Sequence, residues 1–249
     1  MKDKIINKRV EAFWNMRGAT YSKSWQSVAK KKLSNMETDF VEKAIKDKLN
    51  TSKKRMIKTL DIGIGIGRIS TKILKYNVSH YGIDISKTMV KYCKDRFSKN
   101  KKVKKFQVHD ILNPLPKDLG TFDVVSAIRV LSFSPKWERQ LRHIYAALNK
   151  NGVLVFTFPN RYSTTFLAHL VHGNHLGAYE GSYEELKNGL EKIGFKDIKI
   201  TGFSRLLDTI YDMCNSEFST RMIFSTEKLL EMVFGKTLFA RLFYITCRK

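Results

Sequence analysis

Cysteine is scarce. The 249-residue chain has three, Cys93, Cys214 and Cys247, odd in number and far apart. This excludes a disulfide framework and a Cys-x2-Cys zinc pattern and fits a reducing compartment, so a cytoplasmic location is expected. Long apolar runs are also missing. No stretch of eighteen apolar residues occurs, and Met1-Lys2-Asp3-Lys4 opens the chain with charge and no apolar core behind it. Neither a membrane span nor a secretory signal is expected. Acidic residues are the third shortage: 23 Asp and Glu stand against 46 Lys and Arg, a net charge of +23. Residues 1–105 alone carry 28 basic and 9 acidic side chains, a net of +19. Such a field attracts polyanions, RNA or an anionic lipid surface among them. The competing reading is a lysine-rich solvated surface, since Lys99–Lys105 has no interleaved aromatic residues.

The hydrophobic share of 43% is enough to bury a sizeable core. The centre of the pattern is Leu60-Asp61-Ile62-Gly63-Ile64-Gly65-Ile66-Gly67-Arg68, an apolar strand run into three alternate glycines, followed by a helical run from Ile69 to Tyr76. Glycine lets a backbone turn sharply and approach a ligand, and the next helix aims free N–H groups at it. Strands are then expected at 78–83, 103–109, 122–128, 153–158 and 195–203, with a last one at 238–247. Helices are expected at 36–49, 86–97 (Ser86 as N-cap), 135–148 and from Ser182 to about Gly194, where Ser182 and Glu185 have capping-box spacing. Asn50–Lys54 reads as a loop and 204–235 as partly helical. This alternation argues for an α/β fold, a Rossmann-like mostly parallel sheet flanked by helices. One domain over 1–249 is expected: an N-terminal helical cover (1–55), a cofactor-binding core (56–158), and substrate-side inserts at 159–181 and 204–235.

The loop lacks the third glycine of G-x-G-x-x-G, whose place is taken by Arg68, and lacks the G-K-[ST] of a triphosphate cradle. Four segments match another pattern in order: Leu60–Gly67, Tyr81-Gly82-Ile83-Asp84-Ile85-Ser86, Val108-His109-Asp110-Ile111, and Phe122–Ser126 with the Leu148–Leu154 turn. On these residues the chain resembles the class I S-adenosylmethionine-dependent methyltransferases, in their small-molecule, type 11-like form. Lys150-Asn151-Gly152 departs from the usual Pro-Gly-Gly. The resemblance implies a seven-stranded sheet with an antiparallel last strand and S-adenosyl-L-methionine as cofactor. It further implies that Gly63, Gly65 and Gly67 pass under the methionine part and that Asp61 holds the loop. Asp84, with Ile85, would take the ribose hydroxyls, and Asp110 with Ile111 the adenine. Ser126 and Ile128 would line the sulfonium end, and Tyr21 would close over the cofactor.

Methyl transfer from a sulfonium needs chiefly positioning, so no catalytic signature is required. The Asn/Asp-Pro-Pro-aromatic motif of many amine methyltransferases is absent; Ser126-Ala127-Ile128-Arg129 stands there. Oxygen or carbon methylation of a small or lipid-like metabolite fits better. Candidate bases are His169, His172 and His175; their spacing could suit a metal, but no carboxylate or cysteine lies within the run, and no metal is expected. Candidate substrate contacts are Trp25, Arg129 and Arg161, and Phe13 is a further aromatic of the cover. Two other hypotheses stand beside the small-molecule enzyme: an RNA methyltransferase using the basic half, and a non-catalytic subunit of the same fold.

Overall fold

The computed structural model describes residues 2–18, 21–52, 56–163 and 179–249. Its strands are β1 (Ile57–Ile62), β2 (Val78–Asp84), β3 (Val103–Val108), β4 (Phe122–Ala127), β5 (Leu148–Pro159), β6 (Lys196–Phe203) and β7 (Leu242–Arg248). The described helices are α1 (Lys2–Arg17), α2 (Val28–Thr51), α3 (Arg68–Ile73), α4 (Lys87–Arg96), α5 (Trp137–Ala147), α6 (Tyr183–Ile193), α7 (Asp208–Met213) and α8 (Glu217–Phe234). All seven strands join one sheet in the order β3-β2-β1-β4-β5-β7-β6. The β1–β5 pairs are parallel, and β7 runs antiparallel to both β5 and β6. The Rossmann-like, mostly parallel sheet with an antiparallel last strand is therefore present.

The central strands are apolar on both faces because both faces are covered. In β4 every residue of Phe122-Asp123-Val124-Val125-Ser126-Ala127 is buried. Leu60, Ile62 and Val125 meet Leu141 and Ile144 of α5 and Leu186 and Leu190 of α6. Ile57, Val78 and Val124 meet Val41 and Ile45 of α2 and Ile69 and Ile73 of α3 on the other face. The chain leaves β1 toward β2 and β3, then returns to the other side of β1 with β4. At that reversal the carboxyl ends of neighbouring strands splay apart and leave a crevice.

Several boundaries differ from the sequence reading. Helix α2 begins eight residues earlier than expected, at Val28, where the Ser27 side chain accepts from Lys30 N. It also runs through Thr51 into the expected loop, so the lysine-rich side chains of its N-terminal turns hid an amphipathic start. The polar segment before it holds α1, tied to the core where Ser86 Oγ donates to Asn15 Oδ1 at 2.7 Å. Strand β5 starts at Leu148, opposite Phe122, and its ladder slips before resuming at Val124 and Val153. Asn151 takes up the irregularity at φ 58°, a left-handed conformation that Asn tolerates. Strand β7 starts at Leu242 and not at Leu238, because Phe239 is also left-handed, at φ 56°.

The lysine run has structural employment. Strand β3 is one edge of the sheet, where exposed lysines hinder pairing with another chain. Lys102 Nζ donates to the carbonyls of Leu74 and Tyr76 just past α3, at 2.9 and 2.7 Å. Lys105 pairs with Asp118 at 2.5 Å.

Candidate active site

The glycine loop leaves β1 at the crevice. Gly63, Gly65 and Gly67 all have positive φ, at 69°, 50° and 77°. Each lacks a Cβ for a different reason. A Cβ on Gly63 would overlap the Val130 side chain, and one on Gly67 would sit 2.5 Å from Phe97. One on Gly65 would meet nothing nearer than the Gly63 carbonyl at 4.0 Å. Gly63 thus serves close packing on the loop after β4, Gly67 serves packing on α4, and Gly65 keeps the loop open toward the cleft. The loop is fastened by Gly63 N and Ile64 N, which both donate to Ile83 O.

The cleft beside it encloses about 980 Å³ of empty space, part of it open to solvent. Gly63, Gly65, Asp84, Ile85, Asp110, Ile111, Tyr21 and Arg129 all line it, as does Ile128. The Asp84 carboxylate accepts from Gly65 N at 2.9 Å and from Ser86 N at 2.8 Å. Burial raises its pKa and these backbone donors offset part of the rise. It bridges the loop and the start of α4 with lone pairs to spare for a diol. Asp110 Oδ1 accepts from Leu112 N at 2.9 Å, a local turn that holds Ile111 against the cleft.

Gly67, Asp61 and Ser126 do not line the cleft. Asp61 and Ser126 lie beneath it, on the strand face that meets α3. Asp61 is 1% exposed, and its carboxylate accepts from Ser70 Oγ at 2.9 Å and from Ser126 Oγ at 2.8 Å. Ser70 Oγ lies 2.9 Å from His80 Nε2, and His80 Nδ1 lies 2.9 Å from Thr59 Oγ1. With the Ser70 proton spent on Asp61, Nε2 is the donor to Ser70 and Nδ1 accepts from Thr59. Burial pushes His80 down to about 3, so this imidazole is neutral. Burial pushes Asp61 up to about 7, against the two serine donors and Arg68. The network lies at the base of the glycine loop, and its buried polar groups satisfy one another.

The facing wall comes from distant parts of the chain. Val10 and Trp14 of α1 line it with Tyr21, which meets Trp14 edge-on at 5.2 Å. Phe13 stacks edge-on behind Trp14 and does not line the cleft. Trp25 does not reach it either: Arg68 lies 4.3 Å and Arg129 5.3 Å from its ring centroid. Both guanidiniums pair with Glu37 of α2, at 2.6 and 2.7 Å, and Glu37 is wholly buried. Burial opposes the charge of Glu37, but Arg129 and Arg68 outweigh it and hold its carboxyl below the usual range. Arg129 pays for this placement with a left-handed backbone, φ 61°. Arg161 lies outside the cleft lining, with Glu185 at 2.8 Å and the Glu180 carbonyl at 3.0 Å. His169, His172 and His175 lie outside the described residues. Among those, no group of three or more His, Cys, Asp or Glu could hold a metal.

Sequence reasoning missed Val10, Trp14, Met89, His109, Val130, Phe133, Ser134 and Gln140, which also line the cleft. Trp14 offered a signal as an aromatic in a polar segment. Val10 lies in the middle of α1, and the others sit in turns, strand ends and helix starts, where pattern does not separate a ligand contact from packing.

An open glycine, an adjacent buried carboxylate and an apolar floor of Ile85, Met89 and Ile111 fit an adenosine-containing cofactor. Residues 60–154 match the family model described as a methyltransferase domain. Over that segment the chain is similar to a methyltransferase domain. The chain is 26% identical over 153 residues to the ubiquinone biosynthesis O-methyltransferase of Coxiella burnetii, a match that covers 57% of this chain and 65% of that one. The chain thus spans a little under two thirds of that relative's length. Among solved structures, magnesium protoporphyrin IX methyltransferase from Synechocystis PCC 6803, with bound SAH, superposes with a TM-score of 0.68 at 16% identity. That match covers 97% of this chain and 99% of the other. The CurJ carbon methyltransferase gives 0.60 at 18% identity, covering 85% and 53%. These likenesses place the fold among the class I methyltransferases.

Proposed function

We infer that the chain is an S-adenosylmethionine-dependent methyltransferase acting on an oxygen or carbon of a small or lipid-like metabolite. The observation that carries this reading is the pair Gly65 and Asp84. The first leaves the loop open to the cleft, and the second fixes the loop while keeping acceptor capacity for a ribose. When bound, S-adenosylmethionine supplies a methyl carbon already activated by its sulfonium. The residues of the chain then bind, orient and exclude water. The Gly63–Ile66 backbone carries the amino-acid end, Asp84 takes the ribose hydroxyls, and Ile85 and Ile111 flank the adenine. Trp14 and Tyr21 shield the cleft from solvent, and their electron-rich faces favour a cation beside them. The relatives named for O- and C-methylation support oxygen or carbon as the acceptor atom. A phenol, an enol or an activated carbon gives up a proton as it is methylated unless it is already ionised, and His109 is the described histidine that lines the cleft. His109 Nε2 lies 3.3 Å from Asn113 O, and His143 Nδ1 lies 2.9 Å from Ile111 O.

A lipid-like partner is also supported by α8. Phe218, Met222, Leu229 and Met232 recur at helical spacing and are 58–75% exposed, a stripe of the kind that settles on acyl chains. No described helix is long and apolar enough to cross a membrane. The net charge of +23 favours an anionic surface. RNA is less favoured, because Lys102 and Lys105 of the basic run are spent on the fold.

The test is label transfer from methyl-labelled S-adenosylmethionine to a lipid extract and, separately, to total RNA. Label is expected in the organic phase and lost with Asp84→Ala. Label in RNA alone would overturn the metabolite reading, and no binding of the cofactor would favour a non-catalytic subunit. Phosphatidylglycerol vesicles should retain the protein better than phosphatidylcholine ones, and Met232→Ser with Phe218→Ser should release it.

A further inference from the structure

Among the described residues, one polar atom of the cleft wall has no partner. Gln140, in the first turn of α5, lines the cleft yet is only 4% exposed. Its Oε1 is buried and makes no hydrogen bond. A buried amide oxygen is unfavourable unless something donates to it, and in a cleft a bound ligand is one such donor. Its location can be fixed. His143, three residues along α5, lies with Nδ1 2.9 Å from the Ile111 carbonyl. Residues three apart share a helix face, so Gln140 stands beside the Asp110–Ile111 loop, one turn nearer the cleft. The neighbouring Asp110 Oδ1 is committed to Leu112 N. His109 lines this end as well, and the remaining groups there are apolar: Ile85, Met89 and Ile111.

We propose that the Gln140 amide reads the adenine of the cofactor, with Oε1 accepting from the 6-amino group and Nε2 donating to N7. A primary amide matches the N6/N7 edge of adenine in this two-point way and does not match the O6/N7 edge of a 6-oxo purine, which offers two acceptors. Gln140 is thereby a specificity residue for the base, added to the Asp110 loop. The assignment rests on the reading that this cleft holds S-adenosylmethionine.

The experiment is calorimetric titration of the full chain and of Gln140→Leu with S-adenosylhomocysteine and with its 6-oxo counterpart, S-inosylhomocysteine. The wild-type chain is expected to prefer the adenosyl ligand. Gln140→Leu should lose roughly ten- to hundredfold in affinity for it and change little toward the inosyl ligand, so that the preference collapses. Unchanged adenosyl affinity in a folded Gln140→Leu overturns the assignment and leaves the cofactor reading intact. Failure of the wild-type chain to bind S-adenosylhomocysteine sinks the cofactor reading itself. A crystal structure of the wild-type complex decides independently of any variant: Oε1 within hydrogen-bond distance of the 6-amino nitrogen is expected, and a water in that position overturns the proposal.

Discussion

The two walls of the cleft are built from different materials. The glycine-loop wall is backbone and one carboxylate, assembled from residues 61–86 and fastened by N–H donors to Ile83 O and Asp84. The facing wall is side chains from α1, the Tyr21–Trp25 turn and the loop after β4, set in place from α2 by a buried carboxylate between two arginines. The first wall is local and rigid by conformation. The second is long-range and rigid by charge pairing. A wall of the first kind keeps its ligand class through its shape, whereas one of the second kind can change its ligand by changing a few side chains.

The largest effect should come from breaking the second wall at its anchor. Glu37→Ala leaves Arg68 and Arg129 partly buried without their shared counter-ion, and such a loss costs about 3–5 kcal/mol. Denaturant titration would measure it; a loss under 1 kcal/mol would mean that the pair is not what holds the wall. Next comes the loop. Gly63→Ala adds left-handed strain of about 1–2 kcal/mol and overlap with Val130 of about 1–3 kcal/mol. Gly65→Ala carries the strain alone. Thermal unfolding should therefore separate the two, with Gly63→Ala melting lower and Gly65→Ala folded but weak in cofactor binding. Equal melting would contradict the different roles assigned to them.

The network under the loop gives a smaller, pH-dependent effect. Asp61 sits at about 7 in the fold against an ordinary 3.8, raised by burial. Between those values the native chain holds a proton that the unfolded chain releases, so stability falls as pH rises through that window and levels off above it. The slope from this one group approaches about 1.4 kcal/mol per pH unit. Asp61→Asn, neutral at every pH, should remove that slope from the stability curve between pH 5 and 6.5. An unchanged slope would mean that Asp61 is ionised in the fold.

The same contrast governs what was legible in the sequence. Gly63, Gly65 and Asp84 were readable because turn geometry and strand-end position are local properties. The placing of Asp61 and Ser126 beneath the cleft was not, because strand alternation puts them on the α3 face and only the pairing of β1 with β4 brings them together. Arg129 was named for its position after β4, but its partner Glu37 lies 92 residues away and no spacing reveals it. Trp25 was read as a substrate contact from its aromatic character, while the structure stacks it against the two arginines. Gln140 falls inside an expected helix, and helical spacing carries no sign of an amide oxygen without a partner.

The central claim is that the glycine loop and Asp84 form one cofactor site. Calorimetry of S-adenosylhomocysteine against the wild-type chain and Asp84→Asn tests it most directly. The amide loses the charge and one acceptor of a bridge that Gly65 N and Ser86 N both need. One-site binding is predicted, weakened roughly tenfold or more in Asp84→Asn. Equal affinity in the two proteins, or no binding by the wild-type chain, would contradict it.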